Sequence, residues 1–550
     1  MNLKRMFGKT VNNAWLPDVF GNSWILPQII KKSGVDYFVS NKMSTWNDTN
    51  RFPHNNFIWK GIDGTSVLAC VPPTHFITWN MPSQIQENWE AYIDKDSGGQ
   101  TMNMFGYGDG GSGCTEEMIE LMHRFDKLSI MPKCEHMGGQ EFLEKNLKNN
   151  DSLQTWDGEL YLEMHRGTFT TKSNMKRANR RLEYKLRDAE ILSVLRGEDN
   201  KKTITDAYKK LLINQFHDIL PGSHIHPVYE DAMKDYAEIE KTVDSLIGTG
   251  SKYFNTLNFK RDALTFVPNK KGTATRYGVK GNWIIPNIPA LSSASLRATK
   301  FNDEWLNCNG NNIETPFYKA VLNDNGSIAS LVDKKQDRQW VDGDFNKLKI
   351  YTDCPGNYDA WDILPNYKDK QIEIMVSEKL SLCELDGECA TFKTVLSTDK
   401  STWTMLIRFF RRSRGIEVEN IVDWNEKHKL AKAEFSCNVL TRKALCDTSA
   451  GFIERDTHKN TTWQQARFET CHHKWADLSE TDGGVALIND GKYGIGFDEN
   501  TMSLSLLRAT IRPDVTSDMG HHNFSYMIYP HENSAVEAGV NKLAFQFNEQ

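Results

Sequence analysis

Four short stretches carry the side chains that could do chemistry, and all lie before residue 224. In Trp15-Leu-Pro-Asp18-Val-Phe-Gly21-Asn-Ser23 a carboxylate sits between a rigid proline and a glycine. Such a turn can present Asp18 into a cleft, or spend it capping a helix that begins near Trp24. In Phe105-Gly-Tyr-Gly-Asp109-Gly-Gly-Ser-Gly113 the glycines allow close backbone approach to a ligand around Asp109. An anion-cradling loop is the alternative, but the spacing matches neither common phosphate-loop pattern and the loop holds no Lys or Arg. The third stretch, Trp156 to Gly167, gathers Asp157, Glu159, Glu163, His165 and Arg166. It reads either as acid/base chemistry or as a salt-bridged strand. The fourth, Asn214-Gln-Phe-His217-Asp218-Ile-Leu-Pro-Gly-Ser223, offers His217 as a metal donor and Asp218 as a partner for hydroxyl groups. A histidine that only answers a helix dipole is its plain alternative. No HExxH or cysteine-rich pattern accompanies it, so spacing alone does not write a zinc site.

The elements that must position these groups change character along the chain. Up to about residue 148, short apolar runs such as Tyr37-Phe38-Val39 and Val67-Leu-Ala-Cys-Val71 alternate with helical patterns, the rhythm of strands crossed by helices. One helix is well signed, with Thr115 as cap, Glu116 and Glu117 in the first turn, and a stripe of Met118, Leu121, Met122 and Phe125. Residues 172 to 248 keep helical periodicity, with Pro227 near a helix start and Gly248 as a C-cap, which predicts a three-helix bundle. Beyond about 252 the period becomes two. Ile416, Val418, Val422 and Trp424 alternate with Glu417, Glu419 and Asp423, as on a half-exposed strand. The expected fold is therefore multidomain: an α/β part over 1–148, a three-helix bundle over 149–250 and a large β-sandwich over 251–550.

Composition narrows the classes. Lys and Arg number 66 against 72 Asp and Glu, a net charge of −6, with 25% charged and 39% hydrophobic residues. That balance, with no basic stripe, argues against nucleic acid as partner and against a disordered chain. Ten cysteines without a CxxC pair are too sparse for a disulfide framework. No apolar run approaches a membrane span and the first residues lack a secretory leader, so a cytoplasmic protein is expected. Self-association is compatible with the sequence. Among fifteen tryptophans, Trp15 and Trp46 lie beside the acidic stretches and suit a sugar face. The doublets His472-His473 and His521-His522 lack acidic partners at ligand spacing and are assigned to surface or core.

Taken together and in this order, these stretches resemble glycoside hydrolase family 38, the retaining α-mannosidases. The likeness extends through Leu26-Pro-Gln-Ile, Phe52-Pro-His, Gly61-Ile-Asp-Gly-Thr65, Gly484-Val-Ala-Leu-Ile-Asn-Asp490 and Tyr529-Pro-His531. Gly158-Glu-Leu-Tyr161 is nearer the bacterial and cytosolic or vacuolar branch. The resemblance implies a partial α/β barrel-like catalytic domain and hydrolysis of terminal α-mannosyl residues of oligosaccharides, with zinc as cofactor. It implies Asp18 as nucleophile and zinc ligand, His217 as zinc ligand and Asp218 as a contact to sugar hydroxyls. Glu159 is the first candidate for the acid/base and Asp109 the second. Trp15, Trp46, Tyr161 and Arg166 complete the candidate substrate-binding set. A retaining mechanism needs the two carboxyl groups about 5–5.5 Å apart.

One departure follows from the same resemblance. The family's zinc takes two further ligands, a His and an Asp of a His-x-Asp motif upstream of the block that begins here at Trp15, and no such motif occurs in this sequence. The expectation is an N-terminally truncated fragment with little activity by itself, or a carbohydrate-binding fragment without turnover.

Overall fold

The computed structural model describes residues 6–549 other than 126, 249, 251, 300 and 302. The start of the chain read for a leader, residues 1–5, lies outside them. The chain divides into two compact units, residues 1–165 with 449–451, and the remainder.

The first unit is built on a five-stranded sheet. Its strands are β1 (Asn13–Trp15), β2 (Tyr37–Val39), β3 (Asn56–Lys60), β4 (Ser66–Cys70) and β5 (Thr155–Asp157), in the order β1-β2-β4-β3-β5. β1, β2 and β4 run parallel, whereas β3 is antiparallel to β4 and carries β5 parallel to itself. The runs Tyr37–Val39 and 67–70 are apolar without a break because both faces of the sheet are covered there. Phe38, Trp59, Val67 and Ala69 pack with Phe52 and Leu160 on one side; Tyr37, Val39, Leu68 and Cys70 pack with Phe142, Leu143 and Leu147 on the other. The helices α1 (Leu26–Lys32), α2 (Lys42–Thr45), α3 (Pro82–Ala91) and α4 (Glu116–Phe125) lie between the strands in sequence. As its sequence predicts, α4 begins at Thr115, whose hydroxyl accepts the Met118 N–H at 3.3 Å.

In the second unit, α5 (Ser173–Arg196), α6 (Lys201–Ile213) and α7 (His226–Ile247) form the predicted bundle. Its core is Leu182, Leu186, Ala189, Leu211, Tyr236, Ile239 and Val243. Gly248 closes α7, its N–H returning to the Asp244 carbonyl. The β region holds a nine-stranded and a six-stranded sheet whose inner faces share one apolar core, including Phe345, Ile407, Val418, Phe435, Leu487, Leu504 and Tyr526.

One expectation fails there. The strand Ile416–Trp424 is not half-exposed: Glu417 and Glu419 are both buried. Strand 274–276 of a small three-stranded sheet brings Arg276 to Glu417 at 2.7 Å, while Arg408 on the neighbouring strand reaches Glu419 at 2.8 Å. Period two records which face is polar, and a second layer of matching charge can still bury that face. Among the described residues, no helix is long and apolar enough to cross a membrane.

Candidate active site

β1, β2 and β4 end at one edge of the first sheet, and the residues that follow each strand are the polar ones. Asp18 follows β1, Lys42 follows β2 and His75 follows β4. Crevices beyond the carboxyl ends of parallel strands are the usual ligand sites of open α/β sheets. Lys42 Nζ lies 2.7 Å from Asp18 Oδ1, and this ammonium is only 8% exposed. The same Nζ stands 4.7 Å from the centroid of the Trp46 ring and 5.2 Å from that of Phe20. Asp18 is thus a charge-compensated carboxylate set among aromatic faces. It does not cap α1, which begins eight positions later without a side-chain cap.

His75 is the group that ties the edge together. Its Nδ1 accepts the Ile77 N–H at 3.1 Å, which leaves the proton of the neutral ring on Nε2. Burial pushes the imidazole below its ordinary range, the Asp109 and Asp18 carboxylates pull it back up, and Lys42 adds to the lowering. Asp109 arrives there because its glycine-rich loop lies directly on the segment after β4: a Cβ at Gly108 would stand 2.4 Å from Ile77 Cγ1, and the Gly106 N–H donates to the Thr78 carbonyl at 2.9 Å. The predicted close approach is real, but what the loop approaches is its own chain.

Trp46 is held from the far side. Glu163, 1% exposed, accepts the backbone N–H groups of Thr49 (3.1 Å) and Asn50 (2.7 Å) and the Asn50 amide (2.6 Å). The Asn47 side chain in turn accepts the Glu163 N–H at 3.0 Å. The loop after Trp46 is thereby fastened, and the Trp46 ring packs 5.5 Å from His165.

Glu159 is placed differently from the expectation. The Asn22 N–H donates to the Leu160 carbonyl at 2.8 Å and the Leu160 N–H returns to Asn22 at 2.9 Å, an antiparallel bridge. Running away from that bridge in opposite senses, the two segments bring Phe20 to His165 at 4.9 Å, while Glu159 lies on the Ser23 side. The register therefore carries Glu159 away from Asp18. It follows β5, which runs against β1, β2 and β4.

The other candidates divide. Trp15 ends β1 and turns to a separate cavity of about 1150 Å³, whose lining includes Trp89, Met102, Met104, Met137 and Phe142 but none of Asp18, Lys42, His75 or Asp109. Tyr161 is buried in the first unit. Arg166, in the second unit, is also buried; it donates twice to the Ala466 carbonyl and lies 4.5 Å over the Phe468 ring. These contacts anchor Arg166 within the second unit.

His217 and Asp218 belong to the second unit, in the turn after α6. His217 Nε2 is 3.6 Å from Asp218 Oδ2, and the Ser223 hydroxyl donates to Asp218 Oδ1 at 2.7 Å. Lys176 underpins the turn, its buried ammonium donating to the carbonyls of Thr171, Leu220 (2.9 Å) and Pro221 (3.0 Å). Among the described residues no group of three or more His, Cys, Asp or Glu side chains is arranged to hold a metal ion. Asp18 and His217 are two donors, fewer than zinc takes, and Lys42 already balances one of them. The described residues of this chain do not fit a complete zinc centre by themselves.

Sequence reasoning missed Lys42 and His75. Each is a single residue in an unremarkable run, and only its place after a parallel strand signals it.

Comparison with known proteins agrees with this architecture. Residues 2–159 match the family model described as the glycosyl hydrolases family 38 N-terminal domain, 163–253 the alpha mannosidase middle domain and 313–516 the family 38 C-terminal domain. "Alpha-mannosidase 2C1" of Mus musculus is 32% identical over 98% of this chain and 55% of its own length. "Alpha-mannosidase G" of Dictyostelium discoideum is 32% identical over 99% and 57%, and "Alpha-mannosidase" of Saccharomyces cerevisiae 32% over 98% and 52%. The chain spans about half the length of the curated relatives it matches. In fold it is similar to the crystal structure of an alpha-mannosidase from Enterococcus faecalis V583, with a TM-score of 0.77 at 14% identity, over 100% of this chain and 77% of that one. With three domain models of one family matched in chain order and relatives of that family alike along nearly all of its residues, the chain belongs to glycosyl hydrolases family 38.

Proposed function

We propose that this chain carries α-mannosidase chemistry, the retaining hydrolysis of terminal α-mannosyl residues of oligosaccharides. The observation that carries the reading is the placement of Asp18, Lys42 and His75 after three parallel strands, with the glycine loop of Asp109 packed on Ile77 beside His75. The names of the relatives support the substrate. In this reading Asp18 attacks the anomeric carbon while Asp109, protonated, gives its proton to the departing oxygen; Asp109 then deprotonates the water that releases the sugar. Lys42 compensates the charge on Asp18 and fixes its rotamer. Trp46 offers an apolar ring to a sugar face, and the His75 Nε2–H is a donor for a hydroxyl. Zinc remains part of the family-based proposal, but the steps given to Asp18, Asp109 and His75 do not involve it.

A second reading, carbohydrate binding without turnover, is favoured by the shortage of metal donors. Cleavage of an aryl α-mannoside by the purified chain, with and without a chelator and in Asp18→Asn, separates the two. Turnover that disappears in Asp18→Asn supports the enzyme. Sugar binding without turnover in the unaltered chain supports the second reading, and turnover that survives Asp18→Asn overturns the assignment of the nucleophile.

A further inference from the structure

The second unit holds a nucleophile, base and acid array that the glycosidase reading does not use. Cys354, exposed, follows the long strand Val341–Thr352; its Sγ lies 3.6 Å from Nδ1 of His428, and Nε2 of His428 lies 3.2 Å from Oδ2 of Asp359. These two distances fix the tautomer. An ionised carboxylate can only accept, so Nε2 carries the ring proton, and the lone pair of the neutral imidazole sits on Nδ1, the nitrogen facing sulfur.

The array is rigidly supported. Asp359 is 1% exposed, and its Oδ2 also accepts the N–H groups of Ile511 (2.6 Å) and Arg512 (3.2 Å). Its Oδ1 is buried without a hydrogen-bond partner among the described residues. His428 is pinned at both main-chain groups, its N–H on the Ala509 carbonyl at 2.6 Å and its carbonyl on the Asp353 N–H at 3.0 Å. The Asp353 side chain is gripped by Arg508 at 2.7 Å, which steadies the residue next to Cys354.

Other exposed thiols lack this arrangement. Cys308 and Cys383 donate to backbone carbonyls, at 3.4 and 3.3 Å, and burial pushes both thiols up, away from thiolate. A thiol nucleophile needs an adjacent base and a group that orients that base, and Cys354 has both.

We propose that Cys354, His428 and Asp359 form a reactive thiol site that takes low-molecular-weight disulfides of the glutathione type. The Cys354 S–H proton passes to Nδ1 of His428, and Asp359 holds the imidazolium charge. The thiolate attacks one sulfur of the disulfide, the new Sγ–S bond forms as the old S–S bond breaks, and the departing thiolate takes the proton back from His428. One protein thiol and one disulfide yield one mixed disulfide and one free thiol, with no other oxidant.

The test exposes the full chain to oxidised glutathione and follows each cysteine peptide by mass spectrometry. The expected result is a mixed disulfide at Cys354 formed at least about tenfold faster than at Cys308 or Cys114, and removed by dithiothreitol. In His428→Asn, whose side chain tolerates the positive φ of that position, the Cys354 rate falls to that of Cys308. Equal rates at Cys354 and Cys308 in the unaltered chain overturn the proposal. So does an unchanged Cys354 rate in a His428→Asn protein that keeps its circular dichroism; if that variant does not fold, the comparison within the unaltered chain decides.

Discussion

Asn22 and Leu160 exchange both main-chain hydrogen bonds, at 2.8 and 2.9 Å, and this one bridge sets a register in which Glu159 lies on the Ser23 side and Asp18 on the other. Its antiparallel sense sends the Asp18 turn toward His165 and leaves Glu159 behind. Asp109, which no local pattern ranked first, arrives by packing its glycine loop on Ile77.

The bridge depends on Gly21, whose φ is +90° and where a Cβ would stand 2.8 Å from the Leu160 carbonyl oxygen. Gly21→Ala should therefore cost about 1–3 kcal/mol and displace the Asp18 turn. Chemical denaturation read by tryptophan fluorescence measures the first effect and aryl α-mannoside turnover the second. A variant as stable and active as the parent would remove the bridge from the argument.

Exchanging the two acid/base candidates tests the register directly. In whatever preparation turns over substrate, Asp109→Asn should lower kcat by about 10²–10⁴, the usual contribution of a general acid/base. Glu159→Gln should stay within a few-fold of the parent. The opposite ranking would restore Glu159.

Glu163→Ala would orphan the N–H groups of Thr49 and Asn50 and the Asn50 amide, three donors now satisfied by one buried carboxylate. An unpaired buried donor costs about 1–3 kcal/mol, so a loss of several kcal/mol is expected, together with a shifted emission from the loosened Trp46. A change in urea midpoint equivalent to less than half a kcal/mol would show that the loop does not depend on Glu163.

Acid should weaken the second unit through His472. Burial pushes this imidazole from 6.5 to about 3, with Arg180 adding to the lowering. Its Nδ1 faces the Tyr493 carbonyl at 3.1 Å and its Nε2 the Asn489 amide nitrogen at 2.9 Å; Asn489 Oδ1 is held by Arg180 and by the Gly491 and Lys492 N–H groups, so the amide cannot turn to accept a proton. The unfolded ring protonates near 6.5 and the native ring only near 3. The stabilisation is thus complete above about pH 6.5 and is lost as pH falls toward 3, at up to about 1.4 kcal/mol per pH unit. His472→Gln should flatten this slope in part, since neighbouring His473 is also driven far down by burial. An unchanged slope between pH 6.5 and 4 would count against the assignment.

The order of α/β, helical and β-rich parts is legible in the sequence because hydrophobic period, caps and turn residues act over a few positions. Thr115 capping α4 and Gly248 closing α7 are examples. The family was legible for the same reason: its blocks are contiguous. Tertiary structure decided the rest. The burial of Glu417 and Glu419 depends on Arg276 arriving from another sheet. The neighbours of Asp18 depend on strand direction and on a register set between residues 22 and 160. Such relations carry no local signature, because the interactions that fix them are made only after distant segments have packed together.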